Sequence, residues 1–266
     1  MKVLLQFTIC CKNRRRLTAV VSGKTNRGVQ RMYEQKHRLG ASRTDAEGCL
    51  KPGGIIDFMQ DCSCFQLDAD PTLSAYFRQH GVGMYLASRQ IDILRLPRYG
   101  EELTVRTFVY ACNRLYGHRN TFIYIDGEPC IKSDCTGVFV DLSTGRPHKM
   151  PQEVLDAVPM DPQQDMQVLP HKIDLPADGW QLYPPTPVLR CQIDQNRHVN
   201  NARYLDVAVE YLPEDFKYNR IRISYKAPAR YGDDFYPSCC QKGGACYVSL
   251  ADSFGRLYCA TVFTTI

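Results

Sequence analysis

No apolar run in this 266-residue chain approaches the length of a membrane-crossing helix, so no span is expected. The 13 cysteines form no C-x-x-C pair and no Cys/His quartet at zinc spacing, so neither a metal nor a cofactor is expected. Their odd number argues against a complete disulfide set. Cys62, Cys64, Cys130, Cys135, Cys246 and Cys259 lie in apolar or alternating runs, where a free thiol packs as a small hydrophobe. Reduced thiols in the cytoplasm are the expectation. Acidic residues are missing from residues 1–31, which hold eight of the 33 Lys and Arg. The remainder carries 25 bases against 28 acids, a net of −3, so the body of the protein gives no support for nucleic acid binding.

What is present is ordinary for a globular protein, with 44% hydrophobic and 23% charged residues. The length allows one large domain or two small ones. Residues 1–31 form a basic extension expected to be disordered. It reads as a signal peptide, as an organelle transit peptide, or as an upstream extension with Met32 the true start; the last is favoured, and the second would move the protein to an organelle stroma.

From Tyr33 the pattern is regular. A strand is expected at 34–39, a turn at 42–48, a helix at 55–67 and a short helix at 73–79. Four strands follow at 82–96, 101–113, 118–126 and 129–141. Residues 146–187 then hold nine of the 16 prolines around a weak helix at 152–157, which marks a linker. A second set follows: a strand at 187–193, a helix at 201–212, and strands at 218–227, 233–241, 245–251 and 256–265. The expected divisions are an N-terminal unit over 32–145, a Pro-rich linker over 146–186 and a C-terminal unit over 187–266.

The second set repeats the first. Asp45 falls on Asp194, Leu50 on Val199, Ile55 on Tyr204 and Asp57 on Asp206. Arg98-Tyr99-Gly100-Glu101-Glu102 echoes Arg230-Tyr231-Gly232-Asp233-Asp234. Two echoes in one order indicate a tandem duplication. Each unit has one helix to cover a sheet of about five strands and one edge that invites a partner.

The informative stretch is Asp194-Gln195-Asn196-Arg197-His198, just ahead of the helix at 201. If the chain stays extended there, Asp194, Asn196 and His198 share one side. A helix N-terminus beside them favours a negative oxygen. The bland alternative is that Asp and Asn cap the helix and His198 is a polar neighbour.

The string D-x-N-x-H-V-N-N-x-x-Y, Asp194 to Tyr204, resembles the signature of hotdog-fold thioesterases, specifically the acyl-acyl-carrier-protein (acyl-ACP) thioesterase family. Shorter hydroxybenzoyl-CoA-type thioesterases carry a similar string, so the motif speaks for acyl thioester hydrolysis more than for one carrier. The resemblance implies an α+β fold of two tandem hotdog units, each an antiparallel sheet wrapped on one central helix. The two copies are unequal, because Glu47 and Cys49 stand opposite Asn196 and His198. One site per chain is expected, in the second unit, with the first unit shaping the acyl pocket.

On this reading His198 activates or holds water, Asn196 positions that water or the thioester carbonyl, and Asp194 orients His198 or acts as the base. Backbone N–H groups at Val199, Asn200 and Asn201 receive the oxyanion, while the Asn200 and Asn201 side chains serve as caps. The family resemblance also implies a Glu or Cys before the Tyr-Gly-Asp segment. Here that place is near Pro228 and Ala229, which cannot act. An acidic carrier protein would want basic residues, for which Arg220, Arg222 and Lys226 on the outward face of one strand are candidates. Rival functions are an acyl-CoA thioesterase of the same fold and a non-hydrolytic acyl-binding or dehydratase-like hotdog protein. A homodimer of the tandem unit is left open.

Overall fold

The computed structural model describes residues 32–266; the basic extension lies outside them. The first unit holds β1 (Tyr33–Arg38), α1 (Pro52–Ala69), α2 (Pro71–His80), β2 (Val82–Ile93), β3 (Glu102–Cys112), β4 (Tyr116–Ile125) and β5 (Glu128–Asp141). After α3 (Gln152–Asp156) come β6 (Gln181–Leu182), β7 (Thr186–Pro187), α4 (Asn201–Val209), β8 (Arg220–Tyr225), β9 (Asp234–Lys242), β10 (Ala245–Ala251) and β11 (Leu257–Thr264).

All strands join one antiparallel sheet in the order β1-β3-β4-β5-β2-β8-β11-β10-β9-β6, with β7 also on β9. Read outward from the β2–β8 junction, the two halves have the same strand sequence. The β2 edge of one unit closes the β8 edge of the other, leaving β1 and β6 at the outer edges. At the junction Ser88 faces Ser224 and Asp92 faces Arg220, so the pairing has an approximate two-fold axis near Gln90 and Arg222. The fold is two tandem hotdog units.

Helices α1 and α4 cross the same face of this sheet side by side. Ile55, Ile56, Met59, Leu205 and Ala208 are buried against Ile91, Ile123, Ile221 and Phe263. Removing these side chains from water is the main stabilising term. The helices approach closely because Gly53 has no side chain: a Cβ there would lie 2.0 Å from Asp206 Oδ1. Arg203 spans the gap, its Nη2 donating to both carboxylate oxygens of Asp57 at 2.7 and 2.6 Å.

Helix α1 is longer than expected, because Pro52 is well suited to a first helical position. The loop expected at Asp70-Pro71 shrinks to one residue, since the Asp70 carboxylate accepts the N–H groups of Thr72 and Leu73 and starts α2 at once. Helix α4 ends at Val209 and not at Leu212; Pro213 disfavours helical backbone just before it. The strand expected at 187–193 is absent. The counterpart of β1 is broken into β6 and β7 around Pro184 and Pro185, and Arg190–Gln192 form a 3-10 turn.

Residues 160–172 lie as a polar strap across the outer face of the sheet. Gln164 N–H donates to Asn120 Oδ1 at 2.9 Å, Leu169 N–H to Gln90 Oε1 at 2.9 Å, and Gln90 Nε2 to Gln167 O at 2.8 Å. The strap supplies partners for polar side chains such as Asn120 and Gln90 that are otherwise buried.

Arg220 and Asp92 form a buried fork-to-fork pair across the junction, both contacts 2.7 Å. Removing one partner strands the other charge, so Arg220→Ala is expected to cost about 3–5 kcal/mol of stability. Chemical denaturation should show that loss, with a smaller change for Arg220→Met combined with Asp92→Leu.

Candidate active site

The segment from Asp194 to His198 is a tight turn and not the extended run expected from the sequence. Asp194 N–H donates to His198 O at 2.8 Å, and Arg197 N–H to Asp194 O at 3.0 Å. The Asp194 carboxylate closes the turn from inside: Oδ1 accepts the N–H groups of Asn196 at 2.7 Å and His198 at 3.4 Å. An aspartate that binds its own downstream backbone outcompetes a strand here. Arg197 takes the left-handed conformation, with φ of 60°. Asp194, Asn196 and His198 are therefore gathered by a loop closed on one carboxylate.

The first unit builds the same turn. Asp45 Oδ1 accepts the N–H groups of Glu47 at 3.1 Å and Cys49 at 2.7 Å, and Gly48 has φ of 74°. The second echo has a physical role as well. Arg98 N–H donates to Glu101 Oε2 and Arg230 N–H to Asp233 Oδ2, closing two equivalent turns. On these dock Leu50 N–H, bonded to Pro97 O, and Val199 N–H, bonded to Ala229 O, both at 2.8 Å.

That docking corrects part of the oxyanion expectation. Val199 N–H is spent on Ala229 O, and Asn200 N–H on Gln192 O at 2.8 Å. Of the three backbone donors named from the sequence, only Asn201 N–H is uncommitted among the described residues. The side chains behave as caps and ties: Asn200 Oδ1 accepts Ala202 N–H at 2.9 Å, and Asn201 Nδ2 donates to Gln60 Oε1 at 3.1 Å.

The His198 imidazole is half-buried and makes no hydrogen bond among the described residues. Asp194 does not hold its ring; the nearer side-chain partner of Asp194 is Asn196, whose Nδ2 lies 3.4 Å from Oδ2. Against His198 stands the Tyr85 ring of β2, edge-on at 6.1 Å between centroids and 88° between planes. Burial lowers the His198 pKa, Arg230 lowers it further and Asp194 opposes them. The Tyr85 phenol is raised by burial and by the Asp194 charge, with Arg230 opposing. Tyr85 and Arg230 are thus members of this cluster that the sequence did not reveal. Arg230 was visible only as part of an echo, and Tyr85 belongs to the other unit. No cluster of His, Cys, Asp or Glu that could hold a metal occurs among the described residues.

Residues 30–158 match the Acyl-ACP thioesterase N-terminal domain family, and residues 183–247 match the Acyl-ACP thioesterase C-terminal domain family. The chain belongs to the acyl-ACP thioesterase family. It is accordingly a thiolester hydrolase. A comparison with curated proteins finds no match. Among solved structures, the fold is shared by an acyl-ACP thioesterase from Bacteroides thetaiotaomicron, with TM-score 0.79 and 19% identity over 88% of this chain and 97% of that one. It is shared also by a 12:0-ACP thioesterase from Umbellularia californica, with TM-score 0.74 and 15% identity over 88% of this chain and 96% of that one.

In this thioesterase Arg220, Arg222 and Lys226 do not form the outward basic strip expected from alternation. Arg220 is buried on Asp92. Arg222 donates to the carbonyls of Pro170 and Lys172, so the strap consumes it. Only Lys226, past the end of β8, is exposed. Pro228 is exposed, and Ala229 donates its N–H to the Tyr204 hydroxyl and accepts Val199 N–H at its carbonyl.

A neutral His198 is required if it is to take a proton, and its pKa lies below the ordinary 6.5. Activity should therefore be flat through neutral pH and fall as acid protonates the ring. Arg230→Gln removes a cation that disfavours the imidazolium, so the acidic limb of kcat/KM should move to higher pH. A pH–rate profile of the variant checks the sign.

Proposed function

We propose that the enzyme hydrolyses fatty acyl-ACP to free fatty acid and holo-ACP at the turn carrying Asn196 and His198. The observation that carries this reading is the imidazole of His198, its pKa lowered by burial and by Arg230 and its nitrogens free of hydrogen bonds among the described residues, beside an amide and a helix N-terminus. His198 takes a proton from water as the oxygen attacks the thioester carbonyl carbon. The tetrahedral intermediate collapses with loss of the C–S bond, and the imidazolium returns its proton to the leaving sulfur. Asn196 aligns water or carbonyl through its amide. The Asp194 carboxylate holds the turn and steadies Asn196, in place of the ring-orienting or base role considered from sequence.

The acyl chain enters the first unit beside Tyr85. There Gly117 and Gly137 pair across β4 and β5, and the Met84 side chain lies over them, its Cγ 2.6 Å from where a Gly137 Cβ would sit. A flexible thioether over a bare strip of sheet is suited to setting acyl depth. Both units come from one chain, so no homodimer is needed to complete the site. The carrier's acidic surface is assigned to the exposed cations Arg197, Arg230 and Lys226 around the turn. Eleven free thiols among the described residues fit a reducing compartment, the cytoplasm or an organelle stroma.

The test is thiol release from acyl-ACPs of increasing chain length, alongside the matching acyl-CoAs. Higher kcat/KM on the carrier-bound series is expected. His198→Ala and Asn196→Ala should each lower kcat by about 10²–10⁴-fold. Wild-type turnover in His198→Ala would remove the site, and equal kcat/KM on both series would favour acyl-CoA. Hydration of an enoyl thioester without hydrolysis would instead mark a dehydratase.

A further inference from the structure

Hydrolysis of a thioester needs a donor aimed at the oxygen that becomes negative. The helix N-terminus supplies little here, because two of its candidate N–H groups are bonded elsewhere. Three tyrosines surround this end of α4. Tyr204 OH accepts Ala229 N–H at 2.8 Å, and Tyr225 OH donates to Asn201 O at 3.2 Å. Tyr85 OH alone has no hydrogen-bond partner among the described residues, although its ring packs edge-on against His198.

We propose that Tyr85 is a catalytic residue whose phenol donates a hydrogen bond to the thioester carbonyl oxygen as the tetrahedral intermediate forms. The inference rests on the hydrolytic reading of His198. As the water oxygen bonds to carbon, the C=O π pair moves onto oxygen and is stabilised by the Tyr85 O–H together with Asn201 N–H. No proton is transferred to or from Tyr85; when the C–S bond breaks the pair returns to the carbonyl. Burial and the nearby Asp194 charge keep the phenol protonated, as a donor must be.

The duplication supplies an internal control. Tyr218, just before β8, stands four residues ahead of Arg222 and Tyr85 five ahead of Gln90, the extra residue being the bulge in β2 between Leu86 and Ser88; the Tyr218 phenol senses the charge of Asp45 as Tyr85 senses Asp194. In the first unit Cys49 occupies the turn position that His198 holds in the second. Tyr218 packs on Phe263 at 5.0 Å and borders an apolar cavity of about 190 Å³ lined by Ile55, Ile93 and Leu96.

The experiment measures kcat, KM and the pH–rate profile for Tyr85→Phe, Tyr218→Phe and His198→Ala with one acyl-ACP. Tyr85→Phe is expected to lower kcat by about 10²-fold with KM little changed, the acidic limb retained and the thermal midpoint unaltered. Tyr218→Phe is expected to keep the wild-type rate. Full kcat in Tyr85→Phe with His198→Ala inactive overturns the role of Tyr85 alone. A loss confined to KM overturns it too, since the residue would then only bind substrate. Full activity in His198→Ala removes the hydrolytic site itself.

Discussion

The pairing of β2 with β8 is the constraint on which the molecule depends. It joins two five-stranded halves that would otherwise each present an open edge. It also carries the buried Asp92–Arg220 pair and brings α1 against α4. Because β2 runs on beyond the end of β8, a side chain of the first unit meets the turn that carries His198 in the second. The contact between Tyr85 and His198 therefore follows from strand register and needs no special loop.

A second layer of order comes from single carboxylates that fold their own backbone. Asp194 and Asp45 each accept two downstream N–H groups, and the turn hands the chain to a helix two or three residues later. In the first unit the left-handed corner is Gly48, which takes φ of 74° without a steric cost. In the second it is Arg197, at 60°, where a side chain costs of order 1 kcal/mol. The strained choice sits between Asn196 and His198 and puts a cation at the rim of the site.

Much of the architecture was legible in the sequence. Apolar spacing located α1 and α4, the Asp45–Asp194 register was gapless, and the Arg-Tyr-Gly echo marked equivalent turns. These are local signals, carried by residues near one another in the chain. What the sequence hid was decided between distant segments. Alternation put Arg220, Arg222 and Lys226 on one face, but which face is buried depended on Asp92 and on the strap at Pro170 and Lys172. The N–H groups of Val199 and Asn200 looked available until Ala229 and Gln192 were seen to claim them. Tyr85 had no local mark at all. The pleat assumed for Asp194 to His198 gave way to a turn because a short-range carboxylate bond was stronger than the pattern suggested.

Covalent fusion of the halves has a consequence for how they diverge. In a symmetric pair of identical subunits, any residue at the helix entrance is present twice and must suit both surroundings. Here Ile55 answers Tyr204 and Ile93 answers Tyr225, so hydroxyls that secure the backbone around one entrance give way to hydrocarbon and an apolar hollow at the other. The tether lets the two halves take different side chains at equivalent places, and a mutation on either side is judged in a single context.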